Sequence, residues 1–283
     1  MSPLVLARTY LFVPGDRPER FAKALASGAD AVVLDLEDAV APAAKEAARA
    51  AVAQSVAQAV AAQRTDAGRF VVRINSEETP WFEADLRALA GAGAQAVMLP
   101  KAERAETVMR VCAAGPGIAV LALVESARGV LAAEALAAAP GVVRLVFGAL
   151  DYALDLDLEV SATSSFGQAG LDAAASRIAI ASRAAGLPAP VAGVTTVLND
   201  EAALLADWAR ARAHGFGAKL CIHPKQVAPI HAALAPSAAE LAWAERVLAA
   251  AEAAAGAAVQ LDGRMVDRPV IERARRLRER AAR

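Results

Sequence analysis

The stretch Ala119–Ser126 reads AVLALVES, six apolar residues in a row followed by a carboxylate and a serine. A strand half exposed to water alternates apolar and polar side chains, whereas one apolar on both faces belongs in a sheet covered on both sides, as parallel sheets wrapped by helices are. We place a strand at Val120–Val124 and find the same pattern recurring on either side of it. Upstream lie Thr9–Val13, Ala31–Leu36, Phe70–Ile74 and Ala96–Leu99; downstream lie Val142–Phe147, Val191–Thr195 and Ala218–Ile222. Turn residues separate each from the next, and most gaps also hold an Ala/Leu/Arg-rich stretch of helical character. Strands alternating with helices imply right-handed crossovers. Eight such units favour closure into a (β/α)8 TIM barrel of the α/β class over an open doubly wound sheet. No Gly-x-Gly-x-x-Gly follows the first strand, and a Walker A loop is absent.

The 283 residues exceed the roughly 250 typical of such a barrel. The surplus follows the eighth unit: a helical segment near Ser237–Ala255, the Gly-containing stretch GAAVQLDGRMVDRP (256–269), and a charged last helix, PVIERARRLRERAAR (269–283). Pro269 suits a helix's first turn. We therefore divide the chain into a barrel domain, 1–234, and a helical extension and lid, 235–283.

Hydrophobic residues make up 57% of the chain, but charges recur throughout, and no apolar run reaches the roughly 18 residues of a membrane helix. A soluble protein without a membrane partner is expected. The opening MSPLVLARTYLFVPGDRPER is interrupted by Arg8 and runs into a strand and a Pro-Gly turn, unlike a cleavable signal, so the expected compartment is the cytoplasm. Net charge is −1 with basic and acidic residues interspersed, which gives nucleic acid no long basic tract. Cys112 and Cys221 are the only cysteines, and with no CxxC or Cys/His cluster neither a disulfide framework nor a structural zinc site is expected.

A barrel interior is filled by side chains, so chemistry belongs at the carboxyl ends of the strands. The polar residues fall there: Asp35, Glu37 and Asp38 after the second strand, Arg73 in the third, Lys101 after the fourth, Glu125 after the fifth and Asp151 after the sixth. Singly, Glu125 or Asp151 is equally a helix cap. Together, two carboxylates on adjacent strands repel unless a cation lies between them, and an all-oxygen pair with space for water suits Mg²⁺, with Mn²⁺ as a substitute, better than zinc. Arg73 must pair with a carboxylate of the fold or face a ligand; its planar fork can hold a substrate carboxylate or thioester oxygen, and its charge can stabilise an enolate. Glu37 and Asp38 are placed around the metal, holding its waters or orienting Arg73, and Asp35 has the weakest claim because capping or core pairing explains it as well.

At these residues the chain resembles the citrate lyase beta subunit-like branch of the HpcH/HpaI aldolase and citrate lyase family. The resemblance covers nearly the whole chain, in order: LFVPGDRPERFAKALASGADAVVLDLEDAV, VVRINS, MLPKAE, ALVESARGV, FGALD, ASRIAIASRAAGLPAP, GFGAKLCIHPKQV and GRMVDRPVIERARRL. It implies a trimeric or hexameric enzyme that binds Mg²⁺ and a CoA thioester and cleaves a 3-hydroxyacyl-CoA, malyl-, citramalyl- or citryl-CoA-like, to acetyl-CoA and a 2-keto acid, or runs the reverse Claisen-type condensation. By the same resemblance Glu125 and Asp151 ligate the metal, and Arg73 is the arginine of the third-strand block. Arg17 touches the CoA phosphate or adenine portion, where an exposed salt bridge is the plain alternative. Asp267, otherwise a cap of the last helix, protonates the enolate from a neighbouring subunit. One departure is visible: many relatives read Gly-Ala-Glu-Asp where this chain reads Gly148-Ala149-Leu150-Asp151, which bears on the charge beside the ligand pair and on the preferred substrate. Two other functions are consistent with the fold: a class II aldolase acting on free 4-hydroxy-2-keto acids, and a non-catalytic barrel subunit of a larger lyase complex. The aldolases use a histidine near the second strand, whereas His214, His223 and His231 all come late, and His223 reads as a structural residue at the rim.

Overall fold

The computed structural model describes residues 3–159, 166–253 and 259–281. Eight strands, β1 (Thr9–Pro14), β2 (Ala31–Asp35), β3 (Phe70–Arg73), β4 (Ala96–Leu99), β5 (Ala119–Val124), β6 (Val142–Phe147), β7 (Val191–Ala192) and β8 (Ala218–Cys221), close into a barrel in sequence order. Every neighbouring pair is parallel, and β8 returns to β1 through Thr9↔Lys219 and Leu11↔Cys221. Around them run α1 (Phe21–Leu25), α2 (Lys45–Ala61), α3 (Phe82–Ala92), α4 (Ala105–Ala113), α5 (Ala127–Leu131), α6 (Ala133–Ala138), α7 (Ala149–Asp155), α8 (Phe166–Ala184), α9 (Glu201–Ala213) and α10 (Val227–Leu234).

The apolar run at β5 is buried at all six positions, as a strand covered on both faces must be. The helices supply the outer cover with one stripe each; α2 buries Ala48, Val52, Val56 and Ala59, spaced by three or four residues. Helix α3 stops at Gly93, whose φ of 69° is the left-handed conformation glycine adopts without strain. Inside the barrel Tyr10, Val33, Val71, Met98, Leu121 and Val146 pack together. Burying the interior this way leaves only the strand ends for chemistry.

Toward the amino ends of the strands the barrel carries a buried cation. Arg144, 3% exposed, donates from Nε to the Ala189 carbonyl (2.8 Å) and from Nη1 to the Ala7 carbonyl (2.5 Å) and the Tyr10 hydroxyl (3.3 Å). It thereby ties the chain before β1 to the chain before β7. An irregularity in the β5–β6 ladder, where Val120 pairs with Val142 but Leu121 pairs with Arg144, inserts one extra residue just before it.

The structure corrects one strand. The expected Val191–Thr195 shrinks to Val191–Ala192, because the backbone beyond Ala192 gives its carbonyls to side chains instead of to the ladder. Lys219 Nζ takes the Gly193 oxygen (2.7 Å) and Gln226 Nε2 the Thr195 oxygen (2.9 Å).

Backbone contacts divide the chain into two compact units, Met1–Ile230 and His231–Arg283. In the second unit α11 (Ala238–Ala253) and α12 (Arg268–Ala281) pack through Ala244, Val247, Ala274 and Leu277. Residues 254–255 and 282–283, which the sequence also assigned to these helices, lie outside the described residues, as do 256–258 of the intervening stretch. That stretch contains an antiparallel hairpin, β9 (Val259–Leu261) and β10 (Arg264–Val266), turned by Asp262 and Gly263 with φ of 51° and 75°. Positive φ at both turn residues is the geometry Asp-Gly favours in two-residue hairpins. Among the described residues no helix is long and apolar enough to cross a membrane.

Candidate active site

The carboxyl ends of the strands enclose a cavity of about 330 Å³. Its charged lining comes from β2, β3, β5 and the start of α7: Asp35, Asp38, Arg73, Glu125 and Asp151. Five of the seven charged residues predicted for this rim thus meet in one space, and Glu37 lies against them through Arg73.

Arg73 is 9% exposed and held on three sides. Nε and Nη2 donate to the two oxygens of Asp35 at 2.7 and 2.6 Å, a two-point ion pair. Nη1 donates to Asp38 Oδ2 (3.1 Å) and stands 3.0 Å from Glu37 Oε2. The guanidinium carbon lies 4.8 Å from the centre of the Phe12 ring. Asp35, 1% exposed, also accepts from the backbone N–H groups of Glu37 (2.9 Å) and Ala39 (3.1 Å). The residue given the weakest claim from sequence therefore orients Arg73 and shapes the loop that carries Glu37 and Asp38. The cause is register: Asp35 and Arg73 are direct partners across the β2–β3 ladder. Lys45, on α2, backs the same loop by donating to the Leu36 and Glu37 carbonyls, both at 2.7 Å.

Glu37 is 8% exposed, and its Oε2 has no aligned donor despite the nearby guanidinium. Burial pushes its carboxyl up to about 8; Arg73 draws it down, and Glu125, Asp38 and Asp35 push it further up.

Glu125 is 4% exposed at the end of β5. Its Oε1 accepts the backbone N–H of Lys101 (2.8 Å), which is the contribution Lys101 makes; its side chain is exposed and its φ is 45°. Burial pushes Glu125 up to about 7, Lys101 opposes this, and the charge of Asp151 adds to it. Asp151, half-buried in the first turn of α7, therefore sits close enough to be felt. The approach requires Gly148: a Cβ there would lie 2.5 Å from both Cβ and Oε2 of Glu125. The donor set fits a hard divalent cation, with two carboxylates converging on a cavity and mutual repulsion that such a cation relieves. Among the described residues no group of three or more His, Cys, Asp or Glu side chains is placed to hold a metal ion; a cation on Glu125 and Asp151 would take its other ligands from water and substrate oxygens.

Three other singled-out residues make local contacts. Arg17 is exposed, with Nε 3.9 Å from Asp16 Oδ1. Asp267 belongs to the second unit and caps α12, its Oδ1 accepting from the Val270 N–H (3.3 Å). His223 accepts from the Lys225 N–H (3.1 Å) in a reciprocal cap with Gln226.

The rest of the lining carries no charge and includes Phe12 of β1, Leu150 of α7, Val194 after β7, and Leu220 and Ile222 at the end of β8. Among the described residues no histidine is part of the lining.

The model of the HpcH/HpaI aldolase/citrate lyase family matches residues 8–224. A citrate lyase subunit beta-like protein of Mycobacterium tuberculosis is 43% identical over 276 residues, 96% of this chain and 94% of its own. A (3S)-malyl-CoA thioesterase of Cereibacter sphaeroides is 37% identical over 266 residues, 92% of this chain and 89% of its own. Among solved structures, CitE from M. tuberculosis in complex with magnesium, acetoacetate and coenzyme A aligns with a TM-score of 0.86 at 40% identity, covering 98% of each chain. Two further M. tuberculosis structures contain magnesium with pyruvate (TM-score 0.77, 36% identity, 99% of this chain and 100% of that one) and magnesium with oxaloacetate (0.72, 39%, 82% and 99%). The match to the family model and these identities establish that the chain belongs to the HpcH/HpaI aldolase/citrate lyase family, a family of lyases.

Proposed function

We propose that this chain is a Mg²⁺-dependent carbon–carbon lyase that cleaves a 3-hydroxyacyl-CoA to acetyl-CoA and a 2-keto acid, or runs the condensation in reverse, as a homo-oligomer. The observation that carries this is the convergence of Glu125 and Asp151, with Gly148 leaving room against Glu125, on a cavity that Arg73 also lines. A divalent cation held by the two carboxylates supplies Lewis-acid polarisation of hydroxyl and keto oxygens. Arg73, fixed by Asp35, lines the cavity, where its positive end moderates the negative charge that develops on the thioester oxygen as the bond breaks. Asp35 keeps that charge in place without a rearrangement during the reaction.

By family resemblance, the enolate carbon takes its proton from Asp267 of a neighbouring copy, and Arg17 lies toward the CoA. The Asp267 assignment is tested by mixing inactive Asp267→Asn chains with inactive Glu125→Gln chains: hybrid oligomers regain activity if each site draws on two copies, and stay inactive if it does not. The absence of a histidine from the cavity favours the thioester lyase over an aldolase that relies on one as base. The function as a whole is tested by supplying malyl-, citramalyl-, methylmalyl- and citryl-CoA with Mg²⁺ and measuring keto acid release. Release that depends on Mg²⁺ supports the lyase; none from any thioester, with or without the metal, contradicts it.

A further inference from the structure

The cavity has two unlike halves. Its charged side chains come from β2, the loop after it, β3, the end of β5 and Asp151, while Leu150, Val194, Leu220, Ile222 and Phe12 make an apolar wall. Arg73 is the one cation among the described residues that line it, and its charge already faces the carboxylates of Asp35 and Asp38. A substrate carboxylate that chelates the metal is compensated there. A second free carboxylate would meet either Asp35, Asp38, Glu125 and Asp151 or the side chains of Leu150, Val194 and Ile222. Neither half offers it a second cationic side chain, and a carboxylate moved from water against apolar side chains loses solvation. Leu150 sharpens the contrast, since it is 54% exposed and sits directly beside Asp151.

We propose that the carbon bearing the substrate's hydroxyl carries a small aliphatic group, of the methyl class, and that Leu150, Val194 and Ile222 select it against a carboxymethyl group. This rests on the lyase reading above and narrows it: the keto acid formed is a 2-oxo monocarboxylate. The solved relatives do not decide the matter, because both pyruvate and oxaloacetate occur in them with magnesium; the lining of this chain does.

The test is calorimetric titration of the full-length protein, saturated with Mg²⁺, with pyruvate and with oxaloacetate. The wild type is expected to bind pyruvate more tightly by about tenfold or more, as the uncompensated carboxylate dictates. Leu150→Arg and Ile222→Lys, each placing a cation on the apolar wall, are expected to reduce or invert that preference. Two variants on different elements are used so that misfolding of one leaves the other informative. Equal or tighter binding of oxaloacetate by the wild type, or a preference unchanged in a folded variant, overturns the proposal while leaving the lyase standing. Failure of both keto acids to bind with Mg²⁺ overturns the lyase reading and the proposal with it.

Discussion

Two buried arginines occupy opposite ends of one barrel. Arg144, 3% exposed, spends its donors on the carbonyls of Ala7 and Ala189 and the hydroxyl of Tyr10, all neutral acceptors. Arg73, 9% exposed, faces Asp35, Glu37 and Asp38, all carboxyl groups, and borders a cavity. Burial and hydrogen bonding alone do not separate them. The charge of the partners and the empty space beside them do: the first arginine ties backbone segments together, and the second is a charge held by carboxyl groups at the edge of a cavity.

The sharpest way to break this comparison is Arg73→Lys. An ammonium cannot reproduce the two-point contact with Asp35, so kcat/KM for thioester cleavage is expected to fall by about 10²-fold or more, with only a small change in melting temperature. Unaltered kcat/KM would make Arg73 a structural residue like Arg144. The converse substitution, Arg144→Met, strands buried carbonyl oxygens and should lower unfolding free energy by about 2 kcal/mol in denaturant titration, while activity per folded molecule is unchanged. A selective loss of activity there would erase the distinction between the two ends.

Smaller effects are expected from Gly148→Ala and from pH. The added methyl meets the Glu125 carboxylate, so Gly148→Ala should weaken Mg²⁺ binding by about tenfold, measured by titration; wild-type affinity would mean that Glu125 does not need that space. In the metal-free protein Glu37 is raised to about 8 and Glu125 to about 7. Both folded-state values lie above those of the unfolded chain, so the folded state binds more protons and stability falls as pH rises from about 5 to about 8. Because Mg²⁺ competes with the proton on Glu125, the rise in melting temperature produced by a fixed Mg²⁺ concentration should be several-fold larger at about pH 8 than at about pH 6. A pH-independent rise would show that no proton is displaced.

The barrel was legible because its signals are local. A doubly apolar run such as AVLALV specifies a buried strand from its own composition, and eight such runs in turn specify closure. The β9–β10 hairpin has a local signal too, the Asp262–Gly263 pair, but its strands are only three residues each, too short to show a period of their own. The loss of ladder pairing after Ala192 was hidden because it depends on Lys219 and Gln226, which are distant in sequence. In the site, Glu125, Asp151 and Arg73 could be placed at strand ends by counting, whereas the role of Asp35 turns on its register opposite Arg73 and that of Gly148 on closeness to Glu125. Lys101 illustrates the same limit: it serves the site through a backbone N–H, which every residue except proline carries.

The central claim is that Glu125 and Asp151 together hold a divalent cation at the barrel mouth. Its most direct test is Mg²⁺ binding by calorimetry, with Mn²⁺ followed by electron paramagnetic resonance, on the wild type and on Glu125→Gln and Asp151→Asn. The account predicts one ion per chain in the wild type and a loss of affinity of about 10²-fold or more in each variant, with circular dichroism unchanged because both residues lie at the rim. Wild-type affinity in either folded variant would contradict it.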